Sequence, residues 1–258
     1  MNSIHLETKE GIAFIHLNRP SVFNSFNQEM AFSMHEALDS CQEDKSIRTV
    51  VIKGTGRAFC AGQDLQEVTD PAGPLLTTIV RDHYNPIIER IRNLNKPVIA
   101  AVNGVAAGAG ANIALACDIT LACESSSFIQ AFSKIGLIPD SAGTFFLPRL
   151  IGFQRASALM MLGDKVSAKE AETMGMIYKT VKDEEFEEAV DQLAKKLANM
   201  PTKGLAFTKQ ALNRSMQNNL SSQLALEEQL QTKASMTYDY KEGVAAFLEK
   251  RKPEFKGE

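Results

Sequence analysis

The chain has 258 residues, of which 44% are hydrophobic and 23% charged, and a formal net charge of −3. These proportions fit a globular chain that buries a sizeable core, and the charge gives no electrostatic basis for holding nucleic acid or an anionic membrane. No stretch is long and apolar enough to span a bilayer. Met1 to His5 lacks the basic start and apolar run of a secretory leader, so the cytoplasm is the expected compartment. The four cysteines, Cys41, Cys60, Cys117 and Cys123, show no metal-ligand pairing and suit a reducing environment.

In chain order, apolar-rich runs at 4–8 and 12–17 flank Lys9-Glu10-Gly11 and predict a hairpin. Asn18-Arg19-Pro20 stops the second strand, because proline cannot donate to a ladder. Asn27 is placed to cap a helix over 28–42, where Met30, Met34, Leu38 and Cys41 recur at helical spacing. Residues 48–53 predict a strand, followed by a turn at 54–56. Phe59-Cys60-Ala61-Gly62 starts with an aromatic, turns small and tight, and leads to a short helical turn at Asp64-Leu65. Residues 69–75 predict a loose, mobile loop. Residues 79–94 predict a helix that buries Ile87, Ile88 and Ile91 and kinks at Pro86.

An apolar run at 97–102 predicts a short buried strand. Behind it stands Asn103 to Cys117, with glycine at 104, 108 and 110 and a helix-favouring run at 111–116. The order is strand, glycine-rich turn, helix. Glycine there permits positive φ and close backbone approach, and a helix start directs free N–H groups into the turn. Such a turn holds an anion, or an oxygen on which negative charge develops. Equally, the glycines serve only tight helix–strand packing. No Gly-Lys-Ser/Thr follows to make a phosphate loop, and no acidic residue closes a second strand for a dinucleotide.

Farther on, 119–122 predicts a strand. Residues 135–138 form an apolar segment closed by Pro139. Helices are expected at 143–151, with a break near Pro148, and at 155–162. Ser167 opens another, with Glu170 at capping-box distance. Beyond Asp183 the pattern is helical: 184–199, 202–217, 219–234 and 238–250. Pro201 divides a core of 1–200 from a helical region of 201–258, and no internal repeat stands out.

The histidines, His5, His16, His35 and His83, stand in no metal or nucleophile spacing; His83, near the loose loop, is the best placed. There is no GxSxG elbow. Two stretches accompany the glycine turn. Phe59 to Leu65 offers the N–H of Gln63 as a second donor, or is an ordinary strand-to-helix turn. Ile135 to Thr144 carries a lone carboxylate, Asp140. Asp140 either caps the helix that follows or stands at the edge of an apolar pocket, where desolvation raises its pKa. Two N–H donors from separate loops and one carboxylate are a minimal kit for enolate chemistry: the donors hold a thioester oxyanion and the carboxylate moves a proton. Neither a metal nor a redox cofactor is required.

Phe59 to Leu65, the Asn103–Asn112 turn, Cys117-Asp118-Ile119 and Ile135 to Gly143 together resemble the enoyl-CoA hydratase/isomerase (crotonase) superfamily. Asn18-Arg19-Pro20 and Ala246 to Arg251 fit as well, so the likeness runs the length of the chain. The resemblance implies an α/β fold, a spiral of ββα units with a helical C-terminal region that makes trimers, often paired into hexamers. It implies an acyl-CoA thioester substrate and no further cofactor. Carried over residue by residue, the oxyanion hole is the N–H pair of Gln63 and Ala109. CoA contacts come from Val22, Ala61, Asp64 and Leu65, with Phe247 and Lys250 at the adenine end.

The departures from that pattern carry information. Hydratases of the superfamily use two glutamates, and the corresponding positions here are Asn112 and Phe132. Asp140, in Ile-Gly-Leu-Ile-Pro-Asp-Ser, resembles the epoxyphenylacetyl-CoA isomerase branch, where an aspartate serves isomerisation. Dehalogenases of the superfamily pair an aspartate with a histidine and a tryptophan, and this chain has no tryptophan. Ser21 stands where many relatives have a basic residue. The expectation is an acyl-CoA isomerase that uses Asp140 as acid and base. The alternatives are an enoyl-CoA hydratase and a non-catalytic acyl-CoA-binding homologue.

Overall fold

The computed structural model describes residues 2–258; Met1, the first of the residues read for a leader, lies outside them. The strands are β1 (Ile4–Lys9), β2 (Ile12–Leu17), β3 (Thr49–Gly54), β4 (Ala58–Cys60), β5 (Val98–Val102), β6 (Val105–Ala107), β7 (Ile119–Cys123), β8 (Ser127–Ile129), β9 (Lys165–Ser167) and β10 (Lys179–Val181). The helices are α1 (Gln28–Glu43), α2 (Leu65–Thr69), α3 (Leu76–Thr78), α4 (Asn85–Asn93), α5 (Ala109–Ala116), α6 (Gly143–Ile151), α7 (Phe153–Leu162), α8 (Ala168–Thr173), α9 (Phe186–Ala198), α10 (Thr202–Ser215), α11 (Leu220–Ser235) and α12 (Tyr238–Glu249). Among the described residues, no helix is long and apolar enough to cross a membrane.

Two sheets result. The larger has the order β1-β2-β3-β5-β7-β10, parallel except for the β1–β2 hairpin. The hairpin turns on Glu10 and Gly11, both at positive φ (51° and 76°), a pair that matches the twist of the strands it joins. Side chains alternate across this sheet. Ala13, Ile15, Val50, Ile52, Val98, Ala100 and Val102 face one core with α1, α4 and α5. Ile12, Val51, Ile99, Ala101 and Leu121 face the other, under Phe186, Val190, Ala194 and Leu197 of α9. A sheet covered on both faces explains why its strands read as continuous apolar runs.

The smaller sheet has the order β4-β6-β8-β9. Each of its strands spans three residues, too few to show a period. Consecutive strands alternate between the sheets: β3 then β4, β5 then β6, β7 then β8, each pair followed by a helix or helical turn. This is the expected spiral of ββα units, and it is the internal repeat that the letters conceal. It also corrects the reading of 103–110 as one turn, because β6 interrupts it.

Other boundaries differ for local reasons. The helix expected at 79–94 starts at Leu76, and Ile79–Tyr84 winds as a wider π turn before Pro86. The Asn85 N–H reaches back to the Val80 carbonyl, so the ladder is already widened where the proline cannot donate. Helix α6 runs unbroken through Pro148 and ends instead at Gly152, φ 80°. The apolar segment 135–138 is not core: Gly136, at φ 73°, turns it outward, and Ile138 is 80% exposed. The caps behave as expected. Asn27 accepts from the Met30 N–H, and Ser167 with Glu170 forms a capping box.

One charged cluster ties α10 to the sheet. Asp118 Oδ1 accepts from Arg92 at 3.0 Å, and Oδ2 from the Val98 N–H and from Lys209, each at 2.8 Å. Lys209 is buried, and its ammonium also donates to the Ile91 carbonyl at 2.7 Å. Desolvation lowers the Lys209 pKa, and Asp118 opposes that shift.

Removing one partner of such a cluster leaves buried charge without compensation. Asp118→Ala is therefore expected to lower the unfolding free energy by about 3 kcal/mol in urea titration; a loss below about 1 kcal/mol would refute the assignment. Gly110 of α5 lies against β4, where a Cβ would sit 2.4 Å from the Cys60 carbonyl oxygen and 2.7 Å from Cys60 Sγ. Gly110→Ala is expected to cost about 3 kcal/mol by overpacking, read as a lower denaturation midpoint at unchanged m-value.

Candidate active site

The site assembles where β4 and β6 end. Beyond β4 the chain reverses at Gly62, φ 94°, where a Cβ would lie 3.0 Å from the Ala107 carbonyl oxygen and 3.5 Å from the Ala109 nitrogen. Only glycine allows both that conformation and that approach. Beyond β6 the chain turns at Gly108, φ 54° and ψ −127°, and enters α5 at Ala109. Phe26 fixes the first loop by donating its N–H to the Gly62 carbonyl at 2.7 Å and accepting the Asp64 N–H at 2.8 Å. Among the described residues, neither the Gln63 N–H nor the Ala109 N–H has a protein acceptor. Two free donors from separate loops thus stand side by side, one of them at a helix start.

The Gln63 side chain is held at both ends. Its Oε1 accepts from the Tyr84 hydroxyl at 2.8 Å, and its Nε2 donates to Glu67 Oε2 at 2.8 Å. Glu67 in turn accepts the Gln28 N–H at the start of α1. Tyr84 is 1% exposed, and its ring lies 5.9 Å from that of Phe26. Sequence reasoning missed this brace, because Tyr84 reaches Gln63 only through the π turn.

Asp140 enters through α5. Asn112, one turn past Gly108, is completely buried; its Nδ2 donates to the Asp140 carbonyl at 2.8 Å and its Oδ1 accepts from Gln130 Nε2 at 2.8 Å. The residue at the first glutamate position is therefore a clamp on the backbone that carries the carboxylate. At the second position, Phe132 is buried, with its ring 3.8 Å from where a Gly108 Cβ would be. An apolar ring stands there in place of an acid.

The Asp140 carboxylate accepts from the Ser141 hydroxyl at 2.9 Å. Burial raises its pKa above the usual carboxylate value, and the Ser141 bond partly opposes this. The reading of Asp140 as a helix cap does not hold. The cap position of α6 belongs to Ala142, and no side chain caps it. Ser141 and Ala142 are both left-handed, φ 49° and 59°, so the helix N–H groups are turned away from the carboxylate. Two such non-glycine residues together cost about 2–4 kcal/mol, which is strain of the kind that gathers at functional sites. Burial above all holds the Tyr84 phenol well above its usual pKa, and the Asp140, Glu67 and Asp64 carboxylates add to this, so Asp140 and the Gln63 loop share one neighbourhood.

Among the carried-over CoA contacts, Val22 ends a helical turn at Pro20–Val22, Ala61 lies on the loop before Gly62, and Leu65 opens α2. The Ala61 N–H bonds the Phe23 carbonyl at 3.0 Å, and Leu65 is exposed. The Asp64 carboxylate is engaged within the chain: it pairs with Arg19 at 2.8 Å and caps α2 through the Gln66 N–H. Phe247 and Lys250 belong to α12. Phe247 borders a separate apolar cavity of about 500 Å³ with Tyr240, Val244, Leu248 and Phe255. The histidines are structural. His35 Nε2 bonds the His83 carbonyl at 2.9 Å, burial lowers the pKa of both, and His5 and His16 are paired ring to ring across β1 and β2. Among the described residues, no three acidic, histidine or cysteine side chains are grouped to hold a metal ion.

Known proteins resemble this chain along its whole length. The enoyl-CoA hydratase/isomerase family profile matches residues 7–258. The chain is 48% identical over 260 residues to the 1,2-epoxyphenylacetyl-CoA isomerase of Escherichia coli K12, covering 100% of this chain and 99% of that protein. It is 43% identical to a probable enoyl-CoA hydratase of Rhodobacter capsulatus, over 99% of this chain and 98% of that one. A crystal structure of a putative enoyl-CoA hydratase/isomerase from Mycobacterium abscessus superposes with a TM-score of 0.92 at 36% identity, over 98% of both chains. This chain belongs to the enoyl-CoA hydratase/isomerase family.

Proposed function

We propose that this member of the family is an acyl-CoA isomerase that works through a thioester enolate, with Asp140 as its single acid and base. The observation that carries the reading is the replacement of both family glutamates. Asn112 is spent as a backbone clamp and Phe132 is an apolar residue, while Asp140 is a desolvated carboxylate whose main chain is tied to the helix that starts at Ala109. Addition of water needs a second acidic group to seat and activate the water. A 1,3-proton shift does not.

The steps are simple. Asp140 takes a proton from C2 of a 3-enoyl thioester, and the C2–H electron pair delocalises into the carbonyl. The oxygen becomes negative between the N–H groups of Gln63 and Ala109, which are fixed in place before the reaction. Asp140 then gives the same proton to C4, and the double bond moves from C3–C4 to C2–C3. The same groups suit an epoxide whose oxygen is borne β to the thioester: as Asp140 takes the α proton the electron pair forms the Cα–Cβ double bond, the Cβ–O bond breaks, and Asp140 returns the proton to the alkoxide. We also propose that the chain assembles as a trimer or hexamer through residues 201–258. Met236, Phe247 and Leu248 there are 73%, 83% and 75% exposed, which supports the idea. Sedimentation at the mass of one chain would remove this part of the proposal.

The central test pairs wild type with Asp140→Ala on a 3-enoyl-CoA. Wild type is expected to form the 2-enoyl product, and the variant to lose about 10²–10⁴-fold in kcat. A base must be ionised, and burial raises the Asp140 pKa. Activity is therefore expected to fall on acidification at a pH above the ordinary carboxylate range, and that limb to vanish in Asp140→Ala. Solvent ¹⁸O in the product would favour the hydratase reading, for which the Rhodobacter relative at 43% identity is the precedent. Tight acyl-CoA binding with no turnover of enoyl or epoxide substrates would favour a non-catalytic role.

A further inference from the structure

Resting on Asp140 as the acid and base, we propose that Ser141 is a positioning residue: its hydroxyl holds Oδ1 of the carboxylate and leaves Oδ2 as the one atom that takes the proton and returns it. The geometry carries this. Ser141 Oγ donates to Asp140 Oδ1 at 2.9 Å, and the serine is 1% exposed, so water does not compete for the bond. The Asp140 carbonyl is fixed separately, by Asn112 Nδ2 at 2.8 Å and by the Gly143 N–H at 2.9 Å. Main chain and carboxylate are thus each tied, from different sides, and a carboxylate tied at one oxygen presents the other in a single orientation.

The left-handed backbone has a part in this. Ser141 at φ 49° departs from helical geometry, and Ala142 at φ 59° continues the departure. The turn gives a hydroxyl that immediately follows the aspartate a route back to its carboxylate. An ordinary helix start would instead have offered the carboxylate to the α6 N–H groups.

The groups that face Asp140 from neighbouring elements are few. Tyr84 comes from the π turn, and the Glu67 and Asp64 carboxylates act on the same phenol as Asp140. Asn112 and Gln130 are neutral amides. Among the described residues no lysine or arginine contributes to the ionisation of Asp140; besides Ser141, only its own main-chain N–H favours the charged form. Ser141 is accordingly the one side chain that offsets desolvation there. In the shift itself the C2–H bond breaks as Oδ2–H forms, and then Oδ2–H breaks as C4–H forms. One oxygen serves both carbons on one face of the dienolate, and the Ser141 proton stays on Oγ throughout.

The test uses Ser141→Ala, Ser141→Gly and Asp140→Asn in the full chain, with 3-hexenoyl-CoA as substrate. Readouts are kcat and KM against pH, and Tm. Ser141→Ala is expected to lower kcat about tenfold near neutral pH, to leave KM nearly unchanged, and to move the acid limb to higher pH. The sign follows because a donor to the ionised carboxylate has been removed. Ser141→Gly is expected to show the same shifted limb with a Tm above that of Ser141→Ala, since glycine accepts φ 49° without a Cβ penalty. If Asp140→Asn is inactive while Ser141→Ala keeps its kcat and acid limb, the Ser141 proposal is overturned alone. A loss in Ser141→Ala that is uniform at every pH, with the limb unmoved, overturns it too. If Asp140→Asn keeps wild-type activity, the reading of Asp140 fails, and the role of Ser141 fails with it.

Discussion

The contact between α5 and β4 governs the rest of the site. A Cβ on Gly110 would sit 2.4 Å from the Cys60 carbonyl oxygen, so the helix and the strand meet backbone to backbone. That approach sets where Ala109, the preceding residue, presents its N–H, and Gly62 sets the matching position of Gln63 from the other side. Neither donor depends on a side chain that must find a rotamer. Because each N–H is part of an element locked into the core, the pair is oriented before any substrate arrives, which is the condition for electrostatic stabilisation without reorganisation.

The same helix also holds the main chain of the carboxylate proposed as acid and base. One turn beyond Ala109, Asn112 clamps the Asp140 carbonyl, so α5 relates oxyanion donors and carboxylate through a single rigid body. A neutral amide is well suited to this. A carboxylate at 112 would oppose the ionisation of Asp140, already hindered by burial, and would repel the carbonyl that Asn112 holds. The outcome is one negative charge in a confined site, with neutral groups arranged to fix it and not to compete with it.

Much of this was legible in the letters and some was not, for identifiable reasons. Strands β1, β2, β3, β5 and β7 of the larger sheet and the long helices showed themselves because five or more residues express a period, whereas β10, three residues long, did not. The smaller sheet was missed strand by strand, since Ala58–Cys60, Val105–Ala107 and Ser127–Ile129 are each too short to do so. Asp140 drew attention as a lone carboxylate beside a proline. Whether it capped α6 depended on the φ of Ser141 and Ala142, which no local rule assigns to non-glycine residues. Asn112 was visible only as a missing glutamate; its bonds to Asp140 and Gln130 span 28 and 18 residues. Ile135 to Ile138 read as an apolar segment closed by Pro139, and composition did not show that Gly136 turns it to the surface.

The π turn at Ile79–Tyr84 bears on how this scaffold tolerates changes in length. It lies between the loop at 69–75 and α4, whose Ile87, Ile88 and Ile91 are anchored in the core. A π turn accommodates one residue more than an α turn within the same helix. Deleting that residue would restore regular winding and leave α4 where it is. It would also rotate every residue upstream by about 100°, and Ile79, completely buried, would swing out of the core. The apparent irregularity is a phase adjustment between two fixed points. Chain length can vary on the loop side of it, while a single deletion within it would take Ile79 out of the core.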